Sequence, residues 1–155
     1  MNAYESDVVA WANEQARLLR AGRFELLDIE HLAGKIEDVG KSEQRELASR
    51  MALLLAQLLK WQCQPERRGA SWEKTIRAQR KEILYGLDKS PSLRPKLHEA
   101  RWLEVVWSRA IAIAVSETGL DCFLDACPWV MEDEVLAEHW FSAELNRNAV
   151  RPALR

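Results

Sequence analysis

A stretch that is apolar on several sides of a helix constrains the fold more than any other feature. It extends from Ser42 to about Gln62. At 100° per residue one narrow apolar stripe recurs there, formed by Leu47, Met51, Leu54 and Leu58. Other leucines and a line of small residues lie off this stripe: Leu53, Leu55, Leu59, Ala48, Ala52 and Ala56. A helix that is apolar nearly all round is buried by several neighbours, so we expect this one to be central.

The segments before this helix also show helical spacing. We expect one helix from Ser6 to Gly22, with Gly22 as its C-terminal cap. A second helical stretch is expected after Asp28, whose carboxylate suits an N-cap. One face of that stretch carries Leu32, Ile36 and Val39. Gly40 either breaks this helix, with a restart at Ser42, or only bends it.

Three more helices are expected towards the C-terminus. Ser71 is expected to cap a helix from Trp72 to about Leu87. Pro95 suits the first turn of a long helix that ends before Gly119. A short acidic helix is expected from Met131 to Phe141. Because no alternating strand pattern appears, the sequence predicts an all-α fold, a helical bundle with about four main helices plus short accessory helices.

Length and the missing targeting signals indicate the domain organisation and the compartment. A chain of 155 residues suits one domain, so we expect residues 1–141 to form a single helical bundle. Residues 142–155 are expected to form a flexible C-terminal tail. No signal peptide is recognisable, and no apolar run approaches the roughly 20 residues that span a bilayer. Three cysteines without framework spacing favour a reducing cytoplasm.

Charge is segregated along the chain, although the net charge is only -2. Residues 60–81 carry a net charge of +5, and residues 117–144 carry -8 with no Lys or Arg. One interpretation is that these segments pair within the fold or across a dimer. The other is a basic site for phosphate or nucleic acid, with Trp61 and Trp72 as stacking platforms. The candidate ligand or partner residues are Gln64, Arg67, Arg68, Trp72, Arg77 and Arg80.

Two arginines fall at or near apolar stripes. Arg80 lies at the edge of the stripe that includes Trp72, and Arg109 lies within the stripe of the long later helix. A buried arginine keeps its charge and needs a carboxylate or several carbonyls. The candidate partners are Glu37, Asp38 and Glu104, and the sequence does not choose among them.

Catalytic and metal-binding templates do not match this chain. The three histidines (His31, His98 and His139) come from separate segments, and Cys122 and Cys127 lack zinc-ligand spacing. There is no Gly-x-Ser-x-Gly elbow and no glycine-rich phosphate loop. Arg67 and Arg68 lie near Cys63 and would lower the pKa of its thiol, but a cysteine at a helix end is more often inert packing. We therefore expect no metal and no cofactor, and an enzyme is only the third alternative.

The string WQCQPERRGASWEKTIRAQRKEI, residues 61–83, resembles the core motif of a bacterial family known as domain of unknown function, family 29. Further matches are LLRAGRFELLDIEHLAGKIEDVGKSEQREL, SPSLRP and CPW, so the resemblance covers residues 4–138. Gln57 stands where the family pattern would have a histidine. The resemblance implies a helical bundle in a bacterial cytoplasm, and it implies no activity.

Two functions from different classes follow. The first is a non-enzymatic helical interaction module that self-associates or binds a protein partner, without contact with a membrane. The alternative is phosphate or nucleic-acid binding through residues 60–81. The missing catalytic template and the segregated charge favour the first.

Overall fold

The computed structural model describes residues 3–121, 123 and 125–142, and this part of the chain is all-α, as the sequence predicts. The α-helices are α1 (Ala3–Ser6), α2 (Val8–Arg20), α3 (Ile29–Cys63), α4 (Ala70–Lys89) and α5 (Ala100–Thr118). Short 3₁₀ segments lie at Phe24–Leu26, Pro65–Arg67 and Pro91–His98, and a π-helical turn at Met131–Val135. Among these helices, none combines the length and the apolar character needed to cross a membrane.

The chain divides into two compact units, residues 1–44 and residues 45–155. A single domain over residues 1–141 therefore stays a prediction. Residues 143–155, which form most of the expected tail, lie outside the described residues. Ser142, the first residue of that expected tail, is buried, and its hydroxyl donates a hydrogen bond to the carbonyl of Leu58 over 2.7 Å. The second unit therefore extends through Ser142.

Local capping signals define α2 in the first unit. The Asp7 carboxylate accepts hydrogen bonds from the backbone N–H groups of Val9 and Ala10. At the other end Gly22 has φ +70°, which a residue with a side chain rarely adopts, and Arg23 N–H bonds to the carbonyl of Leu18. The helix buries Trp11, Gln15 and Leu18.

α3 passes through Gly40 without a break, so of the two alternatives at Gly40 the break with a restart at Ser42 does not occur. Asp28 precedes the helix, as predicted, and its carboxylate accepts a hydrogen bond from the His31 N–H over 3.5 Å. None of residues 29–46 is buried. All buried positions of the helix lie in its second part, from Leu47 onwards. Burial on several sides is confirmed for that second part, except that Leu53 is exposed.

The core of the second unit assembles around the second part of α3. Its larger members from other elements are Ile76, Ile83, Leu87, Leu97, Val106, Trp107, Met131 and Val135. Five more tryptophans and Phe141 lie partly buried against this core or near it. Packing is therefore the main role of the aromatic residues, as the sequence predicts.

Three predicted helix boundaries are wrong. α4 begins at Ala70 with Gly69 as its N-cap, so Ser71 lies inside the helix and does not cap it. Pro95 lies in the 3₁₀ segment before α5, where its missing N–H rules out an α-helical hydrogen bond back to the carbonyl of Pro91. The acidic helix expected up to Phe141 is only the turn Met131–Val135.

The prediction for Arg109 is also wrong, since its side chain is exposed. The buried face of α5 is formed by Val106, Trp107, Ala110 and Ala114. At 100° per residue Arg109 lies more than about 100° from the centre of that face. It therefore needs no buried carboxylate.

Candidate functional site

The basic segment folds around a cavity between the end of α3 and the start of α4. We call it the α3–α4 pocket, and its volume is about 470 Å³. The lining residues are Gln57, Lys60, Gln64, Arg67, Gly69, Ser71, Trp72 and Thr75. Pro65 opens the 3₁₀ turn Pro65–Arg67, which reverses the chain between the two helices and brings both helix ends to the pocket. Three of the six sequence-predicted residues, Gln64, Arg67 and Trp72, thus meet at one site.

Lys60 is the cation on the α3 side of the pocket. Its ammonium pairs with the Glu117 carboxylate and lies 5.9 Å from the centre of the Trp72 ring. Glu117 opens the acidic segment, so this ion pair joins the two oppositely charged segments. Among the described residues it is the one ion pair between side chains of residues 60–81 and 117–142. Within the described residues, the predicted pairing of the two segments is therefore seen at Lys60 and Glu117.

Arg67 is the cation on the loop side. Its side chain is exposed, and within the described part of the chain it makes no ion pair or hydrogen bond. Gln64, half-buried, precedes it by one turn and also lines the pocket. Arg67 is therefore the basic lining residue whose guanidinium donors are all available to a ligand.

The start of α4 contributes backbone donors. Gly69 is its N-cap, and no side chain caps the helix there. The first N–H groups of any helix have no partner inside it and carry partial positive charge. With Gly69 and Ser71 in the pocket wall, this end of the 20-residue helix adds to the positive potential of Lys60 and Arg67.

Trp72 forms an aromatic wall of the pocket. It packs edge-on against Trp61, with ring centres 5.5 Å apart. The Trp72 Nε1–H is buried and finds no acceptor among the described residues. Such a donor is costly to leave unpaired, which makes Trp72 unusual among the indoles of this chain. The Trp11 indole, by comparison, donates to Asp28 over 2.9 Å.

The other three predicted site residues have different surroundings. Arg68 donates from Nε to the carbonyl of Trp61 over 2.7 Å and stacks on the ring of Trp61. Arg77 is exposed and pairs with Glu73 over 2.6 Å, one turn earlier on α4. Their charge is already compensated by neighbours, so neither is as open to a ligand as Arg67.

Arg80 is a core residue, with only 2% of its surface exposed. Its guanidinium donates to the carbonyls of Val135, Glu138 and Trp140. Burial lowers the pKa of Arg80 to about 10, and the nearby charge of Arg77 acts in the same direction. The alternative of several carbonyls, rather than a carboxylate, is thus confirmed for Arg80. It secures the segment after the π-helical turn against α4.

Sequence reasoning missed part of the pocket. Lys60 belongs to the basic segment but not to the six predicted site residues, and Gln57, Ser71 and Thr75 also line the cavity. The spacing of Gln57, Lys60 and Gln64 on one helical face was the available signal. Ser71 and Thr75 are one turn apart on α4, and the Thr75 hydroxyl donates to the Ser71 carbonyl over 3.1 Å.

Metal binding and a reactive cysteine are the alternative chemistries that the sequence raises. Within the described residues no group of three or more His, Cys, Asp or Glu side chains could hold a metal ion. Cys63 is disulfide-bonded, so its interpretation as an inert packed thiol does not hold. Burial raises the pKa of the Cys127 thiol to about 11, with a smaller contribution from Glu134. Cys127 is therefore a poor nucleophile at neutral pH.

The first unit presents a different kind of surface. Of the thirteen large apolar side chains described as exposed, eight belong to residues 1–44, which make up less than a third of the chain. Three of them lie along α3, with exposed fractions of 67% for Ile29, 72% for Ile36 and 66% for Val39. We call these three residues the α3 stripe. Several exposed large apolar side chains along one helix are typical of an interaction site.

The α3 stripe adjoins a polar cluster that fixes the start of the helix. Asp28 accepts hydrogen bonds from the Trp11 indole and, over 2.8 Å, from His31 Nδ1. The His31 ring stacks on Tyr4 with centres 3.8 Å apart. Burial would raise the pKa of Asp28, but the hydrogen bonds from His31 and Trp11 outweigh it and lower this pKa. The cluster holds the beginning of α3 in place.

Comparison with known proteins gives one match. The family model described as "Domain of unknown function DUF29" matches residues 3–141 of this chain. No curated protein and no solved structure matches it.

Proposed function

We propose that this chain, which belongs to the DUF29 family, is a non-enzymatic helical interaction module that associates with a second copy of itself. The observation that carries the proposal is the concentration of exposed apolar side chains in residues 1–44. An interface between two copies would remove them from water, at about 25 cal/mol for each Å² buried. A bacterial cytoplasm stays part of the same proposal through the family resemblance alone, since the disulfide bond at Cys63 removes the argument from the cysteines.

The α3 stripe supports a second copy as the occupant. Together with Leu32, which lies between Ile29 and Ile36 in the sequence, the stripe residues recur at steps of three, four and three. This is the spacing of apolar positions on a helix that packs against another helix. Charges of both signs border it, among them Lys35 and Glu37, so two copies of the same surface do not simply repel each other. A two-fold contact is self-complementary in this way.

Sedimentation velocity tests the proposal on the full chain. The wild type should show a concentration-dependent dimer at low and at high salt, because apolar burial does not depend on screened charges. Ile36→Glu should abolish the dimer, since it places a charge within the apolar contact. Gln44→Glu, which adds the same charge at another exposed position of α3, should leave the dimer intact.

A strictly monomeric wild type without a co-purifying protein would contradict the proposal. Circular dichroism of both variants should show unchanged helix content, because the substituted side chains are exposed. A tight complex of the monomer with a different protein, lost in Ile36→Glu, would replace self-association by binding of that partner.

Phosphate or nucleic-acid binding through residues 60–81 is the second candidate function. The α3–α4 pocket favours it, because two cations and an uncapped helix start surround a cavity of about 470 Å³. Titration with short oligothymidylate at two salt concentrations, followed by tryptophan fluorescence, tests it. Arg67→Ala should weaken binding, and an unchanged affinity would exclude this site.

A further inference from the structure

We infer that the α3–α4 pocket binds the phosphate group of one small phosphorylated molecule. This inference deepens the second candidate function and rests on it. It stands on three features of the pocket described above: two cations, an uncapped helix start and an aromatic wall. Each of them supplies a different part of the recognition of a phosphate ester.

The cations supply the charge. Arg67 offers a planar set of N–H donors that matches two oxygens of a phosphate at once. Lys60 has three N–H donors, of which the Glu117 carboxylate occupies one. With only 15% of its side chain exposed, Lys60 is held in place before any ligand arrives. Lys60, Arg67 and Glu117 together leave a net charge of +1 at the pocket, which attracts a phosphate group.

The helix start supplies directed backbone donors. In most helices a Ser, Thr, Asp or Asn side chain accepts hydrogen bonds at this position, whereas α4 has Gly69 there. A Cβ atom built on Gly69 would meet no atom within 4 Å, so the space next to the helix start is open. A phosphate oxygen in that space would take the place of the missing capping side chain.

The aromatic wall supplies a contact for the rest of the ligand. Trp72 lines the pocket and is half-buried, so part of its ring faces the cavity. Flat organic groups, such as a nucleobase, stack on indole rings.

The other basic residues argue for a small molecule rather than a nucleic-acid strand. Binding a strand requires a continuous basic groove that follows several phosphates. Arg80 is buried, Arg77 pairs with Glu73, and Arg68 bonds to the Trp61 carbonyl. The available charge is thus concentrated at the pocket, where it suffices for one phosphate group.

Calorimetric and fluorescence titrations of the full chain test this inference. The probes are inorganic phosphate, adenosine monophosphate, adenosine and short oligothymidylate. We expect adenosine monophosphate to bind, inorganic phosphate to compete with it, and adenosine not to bind. Arg67→Ala should weaken binding by about tenfold or more, which is the usual effect of losing a charge-assisted hydrogen bond pair. Lys81→Ala, an exposed cation on α4 outside the pocket lining, should change the affinity less than about twofold.

Gly69→Asp adds a test in which stability and binding change in opposite directions. An aspartate at the N-cap should raise the unfolding temperature, because its carboxylate caps α4. The same carboxylate would occupy the place of the phosphate and should abolish binding of adenosine monophosphate. Because the variant is expected to be more stable, a loss of binding cannot come from unfolding.

Each other outcome overturns the inference. If oligothymidylate binds but neither phosphate nor adenosine monophosphate does, the small-molecule site is wrong while the second candidate function stands. If none of the four probes binds, both fail. If Arg67→Ala or Gly69→Asp binds like the wild type, the ligand does not occupy the α3–α4 pocket.

Discussion

α3 contains two regions that share one helical geometry and differ completely in burial. Residues 29–46 form its first part and contain no buried residue. The second part, from Leu47 onwards, contains all ten buried positions of the helix. Both parts carry large apolar side chains at helical spacing, Ile36 in the first and Leu58 in the second. Helical spacing therefore indicates that a face is available for packing, and the neighbouring elements decide whether it becomes core.

The largest expected effect comes from removing a buried side chain in the second part of α3. Leu58→Ala should lower the free energy of unfolding by about 3–5 kcal/mol, because Leu58 is fully buried. The matched change Ile36→Ala in the first part should cost less than about 0.5 kcal/mol in a dilute, monomeric sample. Urea denaturation followed by circular dichroism measures both values. Equal losses would show that the two parts of α3 do not differ as described.

The next effect concerns the polar anchor of the second unit. Arg80→Met should cost about 3 kcal/mol, because the backbone carbonyls that it binds would lose their donor inside the protein. Arg77→Met, at an exposed ion pair three residues earlier, should cost less than about 1 kcal/mol. Urea denaturation of both variants decides the point. A similar small loss for both would mean that water replaces the Arg80 guanidinium.

A smaller effect of the opposite sign is expected in the exposed part of α3. Gly40→Ala should raise the free energy of unfolding by about 0.5–1 kcal/mol, since alanine favours a helix interior over glycine. A Cβ atom at Gly40 meets no atom within 4 Å, so no clash offsets the gain. Thermal unfolding measures it, with Gly34→Ala as a second site of the same kind. A destabilised Gly40→Ala protein would indicate that the helix bends or breaks there.

The smallest effect is a change in pH dependence at the start of α3. The pKa of Asp28 is lowered in the folded chain, while the unfolded value is the ordinary one of about 4. The carboxylate therefore stabilises the fold above about pH 4, and this contribution is lost as the pH falls through the lower, folded pKa. Asp28→Asn should be less stable at neutral pH and should lose less stability on acidification.

Unfolding temperatures of the wild type and Asp28→Asn, measured between neutral pH and about pH 3, check this slope. Every other titratable group is the same in both proteins, so a difference between their profiles traces to the Asp28 carboxylate and its hydrogen bonds. Parallel profiles for the two proteins would show that the hydrogen bonds from Trp11 and His31 do not stabilise the charged carboxylate.

The features that could be predicted from the sequence depend on neighbours within one helical turn. Asp28 before α3, and Gly22 and Gly119 with φ near +70° after α2 and α5, agree with the expected helix ends. The apolar stripe of Leu47 and Leu58 is buried as predicted. Each follows from a side chain that caps, ends or patterns its own helix. The predictions for Ser71 and Pro95 are wrong because a neighbour takes the expected position. Gly69 is the N-cap of α4, and Pro91 begins the 3₁₀ segment that contains Pro95.

The candidate site was only partly predictable, because no local pattern separates the exposed from the buried arginines of residues 60–81. Arg67 and Arg80 are both arginines in one basic segment, yet Arg67 is exposed and Arg80 is 2% exposed. What separates them is the return of the chain at Val135 and Trp140, more than fifty residues later. Spacing on a helix carries no information about such a long-range contact.

The sequence by itself determined an all-α chain, its family and the separation of its charges, because these depend on local periodicity and composition. Only the tertiary structure decided that Lys60 and Arg67 share a pocket, that Arg80 holds backbone carbonyls, and that the first part of α3 stays exposed. The physical reason is that burial and ligand access arise from contacts between residues distant in the chain. Helical spacing restricts those contacts without specifying them.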